Sequence, residues 1–385
     1  MQKFPKKNPE PDFYELKKVL SGEKLPKKVH PVDLFIDEEI KKYILENYFN
    51  EKNIAEPFMS SFFIKDKVDI EKLYKEYYKQ LINFWYRMGY SFLVITEFSI
   101  KFVSLFMAKN VARVAKDTAI YTRGDRFWVK EGTEGGVIKS QEDFEKFPWD
   151  MTKTFLSELE SHLDFISKNL PAGMKVCVSG SLFEHVMEFI LGYENFFYFL
   201  YDQPELVKNV IDKVGQIEYD LFSSVASMDC VGILILTDDL GFKTSSIISV
   251  EHLRKLFFPW YKKYASIAHK NNKQIWHHCC GNKNGIMEDL ISNIKIDALH
   301  SFEDSCAPII EIKKKYGDRI GLIGGVDMDK LIRLEEKELR KYIRSILDAC
   351  MIRGRFALGS GNSICNFMPV KNYFIMLEEG LNWVG

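Results

Sequence analysis

Eight short apolar runs, each followed by a longer stretch of helical character, are what most limits how this chain can fold. The runs are 57–64 (PFMSSFFI), 90–96 (YSFLVIT), 175–181 (KVCVSGS), 232–239 (GILILTDD), 274–280 (QIWHHCC), 297–303 (DALHSFE), 320–327 (IGLIGGVD) and 356–362 (FALGSGN). Most lack the polar alternation of a half-exposed strand and read as strands buried on both faces, as parallel strands are. Eight strands alternating with helices predict a single (β/α)8 barrel over residues 1–385. An open doubly wound sheet is the rival. Its dinucleotide loop would be GSGNS at 359–363, which lacks the full glycine fingerprint.

The stretches between the runs carry helix signals. In 68–88, Ile70, Leu73, Tyr74, Tyr77, Leu81 and Trp85 recur at helical spacing, with Gly89 placed as a C-terminal cap. In 202–222, Asp202 is a candidate N-cap and Pro204 an early-turn proline ahead of a stripe of Leu206, Val210, Val214, Ile217 and Leu221. A further helix is expected over 250–270 with a kink at Pro259. His162, His252 and His269 fall in helical patterns and are expected to pack or face solvent. Residues 1–55, rich in Lys and Pro, read as an N-terminal arm or cap with helical pieces. The gap at 97–174 is an insertion after the second strand, and within it 121–140 reads as a hairpin. Strand-to-helix loops of a barrel emerge at its catalytic face, so this insertion should cover the active site, with Arg123, Arg126 and Trp128 in reach of substrate.

Composition narrows the function. Lys plus Arg total 53 against 54 Asp plus Glu, a net charge of −1, which leaves no electrostatic footprint for nucleic acid. No apolar run approaches the ~18 residues of a membrane span. The first residues include lysines but no apolar core behind them, so no secretory signal is expected. Seven cysteines, an odd number scattered apart from one adjacent pair, fit a reduced cytoplasmic protein. The aromatic content of 14% suits a large core.

In a barrel, polar residues at the C-terminal ends of strands are the catalytic candidates. Four ends carry them: Asp238 and Asp239; His277, His278, Cys279 and Cys280; His300 and Glu303; and Ser360, Asn362 and the nearby Cys365. Side chains two apart on a strand share a face, so His277 with Cys279, or His278 with Cys280, offers an imidazole and a thiolate to one metal ion. That pair suits zinc, which in catalytic sites keeps three protein ligands and one open position. Glu303 and Cys365 are the candidate third donors. Asp238 and Asp239 are candidates for proton transfer or substrate orientation, or for capping the loop that follows.

From about residue 231 onward the chain resembles the uroporphyrinogen decarboxylase superfamily. The matching pieces are DDLGF (238–242), HCCG (278–281) as the superfamily's His-x-Cys-Gly, DALHSFED (297–304), GLIGGVD (321–327) and GSGNSI (359–364) followed by Pro369 and Asn372; SQEDFEKFPW (140–149) fits as well. The resemblance implies a (β/α)8 barrel and two alternative chemistries. One is metal-free decarboxylation, whose enzymes carry an Arg-rich N-terminal motif, whereas residues 1–56 here contain no Arg. The other is zinc-dependent methyl transfer involving a corrinoid protein, coenzyme M or tetrahydrofolate. In that branch His-x-Cys supplies two zinc ligands, which on this chain become His278 and Cys280. The coenzyme M enzymes place a third, cysteine ligand after the last strand, and this chain has Asn362 there. That departure favours Glu303 or Cys365 as third ligand and a different methyl donor, as in the O-demethylase-like members of anaerobes. The implied partners are a corrinoid protein and a small methylated substrate or acceptor: methyl ether, methanol, methylamine, thiol or folate.

Overall fold

Seven of the eight expected runs form strands, in the expected order, within one parallel sheet. The computed structural model describes residues 4–57, 70–107, 113–116, 125–128 and 136–384. The strands are β1 (Phe92–Ile95), an antiparallel pair β2 (Arg113–Lys116) and β3 (Asp125–Trp128), then β4 (Lys175–Gly180), β5 (Val231–Thr237), β6 (Gln274–His278), β7 (Ala298–His300), β8 (Gly321–Val326) and β9 (Phe356–Ser360). The 7-stranded sheet has the order β1-β4-β5-β6-β7-β8-β9, so each strand lies beside the next across a helical connection. Neighbours are parallel throughout, which brings all C-terminal ends to one edge. Strand residues are buried almost without exception, because helices cover the sheet. The molecule is therefore an α/β fold on a seven-stranded parallel sheet. The expected first run, 57–64, lies outside the described residues apart from Pro57.

The free edge of β9 is not bare. The segment 30–37 runs beside it: Val32 N–H donates to Leu358 O at 2.8 Å, Leu358 N–H to His30 O at 3.1 Å, and Ile364 N–H to Phe35 O at 2.8 Å. Pro31, which has no N–H to give, falls between the accepting His30 and the donating Val32. Asp33 stands in for a ladder carbonyl, accepting the Ser360 N–H at 2.8 Å. Its other oxygen accepts the hydroxyl of Tyr90, just ahead of β1, at 2.5 Å. A Cβ at Gly359 would sit 1.8 Å from Val32 O. The glycines of the GSG stretch thus answer to close backbone approach, not to phosphate.

The helices follow the sequence patterns with informative departures. Ile70–Arg87 is a helix that ends at Gly89 with φ +88°. Pro204–Ala226 begins on its proline and buries Leu206, Val210, Val214, Ile217 and Leu221. Asp202 does not cap it, because that residue ends the preceding helix, Tyr193–Asp202. The expected kink at Pro259 takes the form of a π-helical turn, Leu253–Phe257, just ahead of the helix Phe258–Lys270. The insertion is more helical than expected, with Glu97–Met107, Gln141–Lys146 and Met151–Asn169. Its hairpin pairs 113–116 with 125–128 instead of lying within 121–140. Arg123 lies outside the described residues, as do the side chains of Arg126 and Trp128. Among the described residues no helix is long and apolar enough to cross a membrane.

Candidate metal centre

Strand register builds the centre. Thr237 of β5 pairs with His278 of β6. Two residues beyond each, Asp239 stands beside Cys280 and its Oδ1 accepts the Cys280 backbone N–H at 2.6 Å. Asp239, His278 and Cys280 each present one donor atom, all within 4.8 Å of one another. His278 Nε2 lies 3.5 Å from Cys280 Sγ and 3.7 Å from Asp239 Oδ1. This is a nitrogen, a sulfur and an oxygen converging from two adjacent strand ends.

The surroundings hold the three in place. His278 is buried, its ring edge-on to Phe35 at 5.6 Å and its Nδ1 2.7 Å from His300 Nδ1 at the end of β7. The Cys280 sulfur receives the Asn362 amide at 3.1 Å and the Ser301 hydroxyl at 3.5 Å. Lys283, only 3% exposed, donates to the carbonyls of Cys279, Gly281 and Ser301 at 2.9 Å each, locking the turn after β6 against β7. Burial drives the His278 imidazolium down to about 3, with His277 and Lys283 pushing the same way. Burial drives the Cys280 thiol up, and Asp239 adds to it. A neutral imidazole is what a metal needs, and a coordinated cation deprotonates the thiol outright.

The remaining sequence candidates fall elsewhere. Asp238 is fully buried and saturated: Ser181 Oγ at 2.6 Å, the N–H groups of Leu182 and Glu184, and Tyr261 OH at 2.5 Å all donate to it. It fixes the turn after β4 and not the loop after β5. His277 donates through Nε2 to Asp238 O at 3.1 Å and packs on Tyr261, and Cys279 Sγ accepts the Leu240 N–H at 3.3 Å. Glu303 and Cys365, the expected third donors, are not in the converging group. Both instead line a cavity of about 720 Å³ together with Asp37, Asp327 and Asn362, the last reaching back to Cys280.

Three residues that sequence reasoning missed, Phe35, Lys283 and Glu184, complete the picture, together with the pairing of the strand-end candidate His300 to His278. The Asp239 N–H donates to Glu184 Oε1 at 3.2 Å, and burial, then Asp239 and Asp238, raise that carboxyl to about 9. It is a protonated carboxyl beside the donor group. Asp239, already a strand-end candidate in the sequence, joins the group only through the register of β5 with β6.

The chain matches the uroporphyrinogen decarboxylase (URO-D) family over residues 137–381, more than half its length. No curated protein sequence matches it. Among solved structures it resembles a methyltransferase from Methanosarcina mazei, with a TM-score of 0.63 and 14% identity over 95% of this chain and 97% of that one. It also resembles a B12-independent methionine synthase from Shewanella sp. W3-18-1, with a TM-score of 0.49 and 10% identity over 83% and 89% of the two chains. At 14% identity the first likeness is one of fold.

Proposed function

The chain belongs to the uroporphyrinogen decarboxylase family, and from that premise we propose that it is a zinc-dependent methyltransferase working with a corrinoid protein. The observation that carries the reading is the convergence of Asp239, His278 and Cys280 within 4.8 Å at the mouth formed by the strand ends. The donor set fits zinc: one imidazole, one thiolate and one carboxylate, the three protein ligands with which catalytic zinc keeps a fourth, exchangeable position. Asp239 takes the place of Glu303 or Cys365 as third ligand. Zinc bound there supplies a Lewis acid, either stabilising an acceptor thiolate or improving the leaving group that bears the methyl.

The chain's own residues do the rest. Asn362 and Ser301 donate to the Cys280 sulfur and favour its thiolate. Glu184 holds a proton at its carboxyl next to Asp239, and Glu303 presents a carboxyl group to the cavity. The small methylated substrate sits in that cavity beside Asn362. The insertion at 97–174 shapes substrate choice, and the corrinoid partner docks around the mouth. In this reading Pro31–Ile36 is the eighth stave of a (β/α)8 barrel, seated on the edge of β9, within a single domain.

Metal-free decarboxylation of a polycarboxylate is the alternative. It is disfavoured by the cavity's acidic lining, Asp37, Glu303 and Asp327, which would repel carboxylate groups. Protein purified without chelators separates the two. The proposal expects about one zinc per chain and zinc-dependent methylation of cob(I)alamin by a member of a panel of methyl ethers, methanol and methylamines. Less than ~0.2 zinc per chain at saturating supply, with release of CO2 from uroporphyrinogen, would replace it with the decarboxylase.

A further inference from the structure

We propose that His300 is a positioning residue that holds His278 in the tautomer with a bare Nε2, aiming that lone pair at Cys280 and Asp239. The inference deepens the metal reading of those residues and rests on it for its function, but its geometry stands alone. The chain of protons begins at a main-chain carbonyl. Ser360 O, at the end of β9, lies 3.1 Å from His300 Nε2. A carbonyl has only lone pairs, so His300 Nε2 carries the hydrogen. His300 is wholly buried, with a carbonyl and a second imidazole as its hydrogen-bond partners, and a neutral ring has only one N–H to give. Its Nδ1 is therefore the acceptor. That nitrogen sits 2.7 Å from His278 Nδ1, a distance at which one of the two must donate, so the hydrogen is on His278 Nδ1. His278 Nε2 is left unprotonated, and it is this atom that faces Cys280 Sγ at 3.5 Å and Asp239 Oδ1 at 3.7 Å.

The backbone makes space for this arrangement. A Cβ at Gly324 of β8 would stand 2.7 Å from His300 Cδ2 and 2.4 Å from Ser360 O, so the glycine leaves room where ring and carbonyl meet. Three strands are thereby coupled: β9 sets β7, and β7 sets β6. Metal-binding histidines commonly have the far ring nitrogen fixed by a hydrogen-bond partner, and here that partner is a second histidine fixed in turn by the main chain. Its loss should lower metal affinity without removing a ligand.

The test has two arms. Nitrogen-15 NMR of the metal-free protein, with His278 signals assigned by their loss in His278→Ala, reports directly which ring nitrogen carries hydrogen. A protonated Nδ1 and bare Nε2 are expected, and a protonated Nε2 overturns the proposal with no variant at position 300 needed. Zinc affinity is then measured by chelator competition. His300→Leu should weaken it by about 10–100-fold. His300→Gln, whose amide can accept from His278 and donate to Ser360 O, should recover most of the loss. A folded His300→Leu that binds zinc as the unmodified protein does overturns the positioning role. A protein that shows the expected tautomer yet binds no zinc overturns the metal reading instead, so the two failures are distinguishable.

Discussion

Asp238 and Asp239, His277 and His278, Cys279 and Cys280 are three doublets of identical residues, and each is split between two fates. Asp239, His278 and Cys280 turn toward the strand-end mouth and converge. Asp238, His277 and Cys279 turn away from it and become structure, tied to Ser181, Tyr261 and Leu240. Composition is the same on both sides and only strand alternation differs. A residue's chemistry here is therefore decided by the parity of its position, and paired substitutions read that out.

The cysteines should show the widest contrast. Cys280→Ala should abolish measurable zinc binding and methyl transfer together, a larger loss than the ~10–100-fold expected for an outer partner. Cys279→Ala should keep the metal and cost about 1 kcal/mol of stability. Metal analysis and urea unfolding of the two variants check this, and equal zinc loss in both would erase the distinction between faces. The aspartates should trade roles. Asp238→Ala strips the acceptor from a buried set of four donors and should destabilise the fold by on the order of 3 kcal/mol. Asp239→Ala removes one acceptor, that of the Cys280 N–H, and should cost less stability than Asp238→Ala while lowering zinc affinity.

A third prediction concerns pH. Burial holds His277 at about 4, well under the ordinary 6.5, and does the same to His30, where Lys28 adds to the effect. The unfolded chain then takes up protons before the folded one as pH falls. The stability these rings contribute is complete above pH 6.5 and is lost progressively toward pH 4. Urea midpoints of the metal-free protein should fall across that window, and a flat profile would contradict the burial argument. The smallest effect is expected at the cavity wall: Glu303→Gln and Cys365→Ala should change zinc affinity by well under the ~10-fold that even an outer partner is worth.

Much of this was legible in the chain. The seven strands of the sheet could be read because each is a short apolar run buried on both faces, bounded by turn residues. The stripe Leu206 to Leu221 could be read because helical period leaves no other reading. Residues 30–37 escaped notice because proline and charged neighbours mask a stretch whose partners lie more than three hundred residues away. Asp202 misled because a good capping residue also serves to end a helix. At the site, alternation narrowed the cluster to two pairs, and the choice of His278 with Cys280 came from the family pattern. Asp239 was visible as a residue, but its partnership with Cys280 depends on register between strands. The part of His300 depends on which ring nitrogen meets which atom, and no one-dimensional pattern carries that.

Zinc-edge X-ray absorption on protein purified without chelators tests the central claim most directly. The account predicts a first shell with a single sulfur at about 2.3 Å and nitrogen or oxygen neighbours at about 2.0–2.2 Å, and the loss of that sulfur in Cys280→Ala. Two sulfurs in the first shell, or one that survives Cys280→Ala, would contradict it.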